Sequence, residues 1–500
     1  MSGEEMSRAD FIALAGTSLL MSGYILTSAG GAAHARTPLK GSGEFPVGIW
    51  WPPPPEKTTA VRYAEIKEAG FNFVIGGNGV GNDRSTVAAL DAAHANRLKF
   101  IVFDSSLYQR IRGDGQSTAG DRSTSSEKVR GDRNPASILS YLVEQEVGGG
   151  PPLESGPLRS AAGVSEEQKQ AIAERVTQLI ELHGEHPAFE GLKLYDEPHA
   201  GLLESIGYAR AFLANAAPEK SPYVNVGPSH SSAQALGTSL YSEYLQRYMS
   251  RVSPPFLSFD HYPLLGGKSV TWDYFLNWAM IRNYALQNGV PSWGFVQSID
   301  FDGPAVGLAY HRRPNRAELL WQINVALAYG AKGLQYFTYW SPEPKTVNFG
   351  QALISRSGTR TQLYTDAKSV NSHLGRVGKV LLPLVSEAVQ HAGEKTLPRG
   401  TAAFRSDAFV NSVSGSPAVL SRFRRPGASA KERYLLVVNR SFSATASTTL
   451  KVGARVSVVQ DFDPAWQTFS KLRLKSSGGS RFLPLNLQPG AARLLRLYRR

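Results

Sequence analysis

The sequence predicts an α/β fold, a (β/α)8 TIM barrel followed by a small C-terminal β-sandwich. Three observations carry that expectation. From Glu44 to about residue 340, eight short apolar runs alternate with stretches of helical period. No glycine-rich phosphate loop follows the first run, which argues against the alternative of a doubly wound open sheet. After about Val385 the helical period gives way to short β-type runs separated by turn residues.

The elements follow in order. FPVGIWW is the first strand, and TTAVRYAEIKEAG the first helix, with Val61, Ile66 and Ala69 on one side and Gly70 as its stop. FNFVIGG, the helix STVAALDAAHANR and the strand LKFIVFD come next. Residues 105–163 read as an irregular insertion rich in Gly, Ser, Asp and Arg, with one expected helix in ASILSYLVEQEV. Ser165 and Gln168 then form a capping-box pattern ahead of a helix that buries Ile172, Val176, Leu179 and Ile180. The fourth strand is LKLYDEP. Helix and strand pairs end on PYVNVGPS, FLSFDHYP, PSWGFVQSID and finally GLQYFTYW. The barrel is therefore expected over residues 44–385 and the sandwich over 393–500, the latter in a packing role.

Residues 1–35 have the layout of a signal peptide: Arg8, an apolar stretch from Phe11 to Leu26, and AHA ending at Ala35. SRADF resembles a twin-arginine export motif with Ala9 in place of the second Arg, while Glu4, Glu5 and Asp10 fit the general secretory route poorly. An exported, extracytoplasmic bacterial protein is expected. A membrane anchor left uncleaved and a buried N-terminal helix are the other readings.

Composition narrows the chemistry. The net charge is +13, but the Arg residues are scattered and the basic end RLLRLYRR is not interleaved into a face of cations and aromatics, so no nucleic-acid partner is expected. The absence of Cys excludes disulfides, thiolate metal sites and a Cys nucleophile. The chain holds 20 Tyr, 22 Phe and 8 Trp, enough to build a core and also to stack on sugar rings.

Barrel active sites lie at the C-terminal strand ends. Those ends offer Trp50 and Trp51; Asp104; Tyr195, Asp196, Glu197 and His199; Asn225 and Ser229; Asp260, His261 and Tyr262; Gln297 and Asp300; then Tyr336, Tyr339, Trp340 and Glu343. Acids mixed with aromatics suit a carbohydrate, because glycoside hydrolysis needs one carboxylic acid at the leaving oxygen and usually a second carboxylate. HPAFEGLKLYDEP, FDHYP and AELLWQINVALAYGAKGLQYFTYW resemble barrel glycoside hydrolases of the type that includes the family 42 β-galactosidases. The resemblance implies that Glu197 is the general acid. It also implies a Glu nucleophile at the end of strand seven, where this chain has Gln297 instead.

Three explanations of that departure stand open. The Asp196–Glu197 doublet resembles N-acetylhexosaminidases of families 20 and 123, in which the substrate's 2-acetamido group attacks and the Asp orients it. Another carboxylate can serve instead, Asp260 first, then Asp300, Asp302 or Glu343. Or the barrel binds glycan without turnover. A further rival is a metal-dependent hydrolase using His199, His261 and Asp260. The reading adopted is a glycoside hydrolase with no cofactor or metal, acting on an oligo- or polysaccharide. Glu197, Asp196 and Asp260 do the chemistry, and Trp50, Tyr195, His261, Tyr262, Gln297, Tyr339, Trp340 and Glu343 bind the sugar.

Overall fold

The computed structural model describes residues 39, 42–113 and 163–500. The expected signal peptide and nearly all of the expected insertion, with its helix, lie outside the described residues. Strands β1 (Val47–Ile49), β2 (Phe73–Ile75), β3 (Lys99–Phe103), β4 (Phe189–Asp196), β5 (Ser221–Val226), β6 (Leu257–Phe259) and β7 (Ser292–Gln297) run parallel. Two short strands, β8 (Phe301–Gly303) and β9 (Leu308–His311), precede β10 (Gly333–Phe337). β10 pairs with both β7 and β1 and closes the eight-stranded barrel. The closed parallel barrel is the predicted architecture.

Six of the eight barrel strands are buried along their whole length, and β3 and β4 at all but one residue each, as parallel strands covered by helices must be. Aromatics fill the interior. Phe73 and Trp293 come from non-adjacent strands and meet at 5.4 Å. Two glycines make room for them. A Cβ on Gly48 would lie 2.2 Å from the Phe73 ring, and one on Gly333 would lie 2.4 Å from the Trp293 ring. Capping fixes the outer helices. Asn82 and Ser85 form a reciprocal capping box at Asp83–Ala95, one turn of sequence before the Ser start expected there. Ser165 caps Glu166–His183 through the Gln168 N–H, but the Gln168 side chain reaches instead to the carbonyls of Arg110 and Ile111, bridging to the helix Ser105–Arg112. An eighth outer helix, Gln362–Leu381, is absent from the strand-by-strand reading. It seals the barrel seam, where Asn371 accepts from the Tyr336 hydroxyl (2.7 Å) and donates to the Ala69 carbonyl (2.9 Å).

β11 (Asn348–Phe349) joins β8 and β9 in a small antiparallel sheet over the end of β7, also outside the sequence expectation. Strands of two to four residues carry too little pattern to be seen.

The C-terminal sheets begin at β12 (Val385–Ala392), a few residues before the expected boundary. With β14 (Ala418–Arg424), β15 (Glu432–Asn439), β17 (Val456–Asp463), β18 (Thr468–Lys471) and β21 (Ala492–Arg499), it forms a six-stranded sheet. A four-stranded sheet of β13 (Val410–Gly415), β16 (Ala446–Val452), β19 (Lys475–Ser477) and β20 (Ser480–Leu487) covers one face. Leu420, Val437, Leu450, Leu485 and Leu495 pack between the two. The other face, with Val419, Phe423, Leu436 and Leu494, belongs to the barrel's own core. Trp321 donates to the Arg440 carbonyl (3.1 Å) and Asn324 to that of Gly490 (2.8 Å). Gly490 (φ 70°) must be glycine, since a Cβ there would lie 2.2 Å from the Ala317 carbonyl oxygen.

Candidate active site

Strand register sets the site. Asp196 ends β4 and pairs across with Asn225 on β5, which in turn pairs with Ser258 on β6. Asp260 follows β6 one residue beyond Phe259. Asp196 and Asn225 therefore stand at one level, with Asp260 two residues beyond the Ser258 that pairs with Asn225. Asn225 is fully buried. Its Nδ2 donates to Asp260 Oδ1 (2.8 Å), and its Oδ1 accepts from the Ser258 hydroxyl (2.9 Å). Gln335 from β10 donates to the same hydroxyl oxygen (2.9 Å), so hydrogen bonds across the barrel hold Asn225 in place.

Glu197 takes the next step of the chain in the left-handed region (φ 42°), its N–H on the Asn225 carbonyl (2.8 Å). A non-glycine residue there costs on the order of 1–3 kcal/mol and is found where a site demands it. The turn brings the Glu197 carboxyl onto Asp260, and the two carboxyl groups are hydrogen-bonded. Asp260 is 2% exposed. Burial first, and then the Glu197 and Asp196 charges, push its carboxyl well above the ordinary range.

Asp196 is also buried, and burial raises its carboxyl while Lys193 pulls it back. Lys193 Nζ lies 3.3 Å from Asp196 Oδ2 and 4.4 Å from the Trp50 ring centroid. A Lys buried inside a barrel is tolerated only with such a partner. The Tyr262 ring packs 4.7 Å from Phe337, and its buried hydroxyl has no hydrogen-bond partner among the described residues. Burial raises that hydroxyl first, followed by the charges of Asp260, Glu197 and Asp196.

The structure thus brings together Asp196, Glu197, Asp260 and Tyr262. The other expected sugar contacts go elsewhere. Trp50 is buried, donates to the Gly76 carbonyl and holds Lys193. Tyr195 stacks on Tyr108 at 4.3 Å. Gln297 is buried, and its amide is engaged with backbone, accepting from Leu264 N–H (2.9 Å) and donating to the Arg312 carbonyl (2.8 Å). Tyr339 is buried with its ring 6.2 Å from Phe71, toward the outer helices. Trp340 lies under the Arg62 guanidinium at 5.6 Å. Glu343 is an exposed partner of Arg356. Asp104 caps Ser105–Arg112 and pairs with Arg175. Asp300 and Asp302 accept from Gln351 N–H and Asn348 Nδ2.

The trio of the rival metal-dependent reading does not assemble either. His199 caps Gly201 N–H and lies against Gly237. His261 turns away from Asp260 to Asn277, Thr271 and Asp273. Lys193 and Asn225 are the functional residues that sequence reading undervalued. The signal for Lys193 was a lone cation inside the apolar run of LKLYDEP.

No protein-family model matches the chain, and no curated protein sequence does. Solved structures match its shape. The β-galactosidase from Bacillus circulans sp. alkalophilus aligns with 91% of this chain and 99% of its own at TM-score 0.53 and 9% identity. The GH42 β-galactosidase Gan42B from G. stearothermophilus, solved as a catalytic mutant, aligns with 93% of this chain and 100% of its own at TM-score 0.54 and 9% identity. Against the β-galactosidase of the psychrophilic Marinomonas ef1 (TM-score 0.45, 12% identity, 68% of this chain) the chain spans 62% of the relative's length. At such identities the likeness is one of fold, a TIM barrel with C-terminal β-sheets. Among the described residues no helix is long and apolar enough to cross a membrane.

Proposed function

We propose that this protein is a glycoside hydrolase whose general acid is Glu197, acting as a proton-sharing pair with Asp260. The observation that carries the reading is the carboxyl pair at the C-terminal end of the barrel, in which half-buried Glu197 meets buried Asp260. Two carboxyl groups in contact cannot both ionise in a low-dielectric site, so the pair keeps a proton at neutral pH. That proton is available to a glycosidic oxygen placed over Glu197. Asp196, already balanced by Lys193, keeps negative charge at the same level, where a cationic transition state is stabilised. The Tyr262 hydroxyl serves a sugar oxygen.

The fold likeness to β-galactosidases supports a carbohydrate substrate. A hydrogen-bonded carboxyl pair leaves no room between its members for the sugar carbon or water that separates the two acids of retaining and inverting enzymes. Asp260 therefore reads as the partner that holds the acid's proton, and the attacking group comes from the substrate or from water.

The test is hydrolysis of a panel of aryl glycosides, N-acetylhexosaminides included, by wild type, Glu197→Gln and Asp260→Asn. Loss of general-acid help lowers the rate about 10²–10⁴-fold on poor leaving groups, with a smaller loss on activated aryl leaving groups. Full activity of Glu197→Gln on a poor leaving group would remove it as the acid. Glycan binding without turnover by wild type would make the barrel a binding module.

A further inference from the structure

His230, His261 and Asp273 form a second cluster at the same end of the barrel, on the loops after β5 and β6. Their ligand atoms all lie within 4.8 Å of one another. Nothing in the proposed hydrolysis uses them.

The hydrogen bonds fix the tautomer of His261. The Ser229 backbone N–H donates to Asn277 Oδ1 (3.0 Å), which identifies that atom as oxygen. His261 Nδ1 lies 2.9 Å from the same oxygen, so it must donate, and Nε2 carries the lone pair. That lone pair faces Asp273 Oδ1 at 3.5 Å. Asp273 is 1% exposed, and Oδ1 has no hydrogen-bond partner among the described residues. Oδ2 of the same carboxylate accepts from the Ser229 hydroxyl (2.7 Å) and lies 3.1 Å from His230 Nδ1. Asp273 immediately precedes the helix Tyr274–Gln287 but makes no side-chain cap bond to it. Its carboxylate is turned to the two imidazoles instead.

Nε2, met only by the rotatable Thr271 hydroxyl (2.6 Å), and the buried Oδ1 are both acceptors, an arrangement that a cation between them satisfies. Metal–ligand bonds of about 2.0–2.2 Å in a tetrahedron put neighbouring ligand atoms about 3.3–3.6 Å apart, which matches the 3.5 Å separation of Nε2 and Oδ1. We propose that His230, His261 and Asp273 bind a divalent transition metal ion of the zinc type. Imidazole-rich donor sets favour such ions over magnesium or calcium. Binding turns the Thr271 hydroxyl away from His261 Nε2, which it now approaches at 2.6 Å. The Asn277 contact supplies the outer hydrogen bond that orients a ligating imidazole. The ion would tie the β5 loop to the β6 loop, one residue from Asp260.

The experiment uses the full chain, stripped with chelator and titrated with Co²⁺ and then Zn²⁺. The expected result is one equivalent bound, with the intense visible bands of four-coordinate cobalt lost when zinc is added. Asp273→Asn and His230→Ala should each weaken binding roughly tenfold or more. His199→Ala and Asp260→Asn should leave it unchanged. His230 is at the surface, so its variant retains the fold and carries the test even if Asp273→Asn does not. The proposal is overturned if wild type binds neither ion, if His230→Ala binds as tightly as wild type, or if His199→Ala or Asp260→Asn abolishes binding. None of these readouts depends on hydrolysis, so failure here and failure of the proposed activity are separate results.

Discussion

The Asp260→Asn variant isolates the central electrostatic claim. In the proposed pair Asp260 is neutral in the folded protein, its carboxyl raised by burial and by the adjacent Glu197 and Asp196 charges. In the unfolded chain the same carboxyl ionises near pH 3.9. Above that pH the folded state binds one more proton than the unfolded state. Stability therefore falls as pH rises, by up to about 1.4 kcal/mol per pH unit for this one group. An Asn at position 260 is the same size, accepts from Asn225 at Oδ1 and donates to Glu197, but does not titrate. Urea unfolding of both proteins between about pH 4.5 and 6.5 should show the variant gaining on wild type as pH rises. Over that two-unit interval the difference should approach about 2.7 kcal/mol. A pH-independent difference, or a variant that loses ground with rising pH, would mean Asp260 is ionised in the fold, and the proton-sharing pair would be refuted.

Other predictions follow from the same site and its surroundings. Lys193→Met should destabilise the protein by about 3–5 kcal/mol in a denaturant melt, because it leaves Asp196 buried without its cation; adding Asp196→Asn should restore most of that loss. Gln297→Glu should not create a working nucleophile. It sets a carboxylate against the Arg312 and Leu264 carbonyls and should cost about 1–3 kcal/mol, read by the same melt alongside activity. His311 is buried against Phe301, and burial pulls it down to about 4. Its folded value lies below its unfolded value, so stability is lost as pH falls from about 6.5 to about 4, and His311→Phe should flatten that loss by about 1.4 kcal/mol per pH unit.

Much of this was legible in the residues alone. Each barrel strand is a local apolar run and each outer helix a local stripe, so eight alternations specify the barrel without any knowledge of contacts. Glu197 stood out because two acids close a buried strand, and strand ends are where barrels place chemistry. The aromatic candidates were harder. Trp50, Tyr339 and Trp340 sit at strand ends as expected, yet their rings turn into the wall or toward outer helices. Composition cannot separate a sugar platform from a packed ring.

What the sequence by itself determined is the order of elements, the closed barrel with its β-rich tail, and the level at which Asp196 and Glu197 stand. Only the tertiary structure decided which acid faces Glu197. Asp260 stood first among the candidates, ahead of Asp300, Asp302 and Glu343, and the register of β4, β5 and β6 brings Asp260 alone of these to the pair. It also parted Asp260 from His261. Successive side chains on extended backbone point to opposite sides, so one acid joined Glu197 while its neighbour joined His230 and Asp273. Side-chain direction past a strand end depends on backbone turns and on partners remote in sequence, and neither is written in local periodicity.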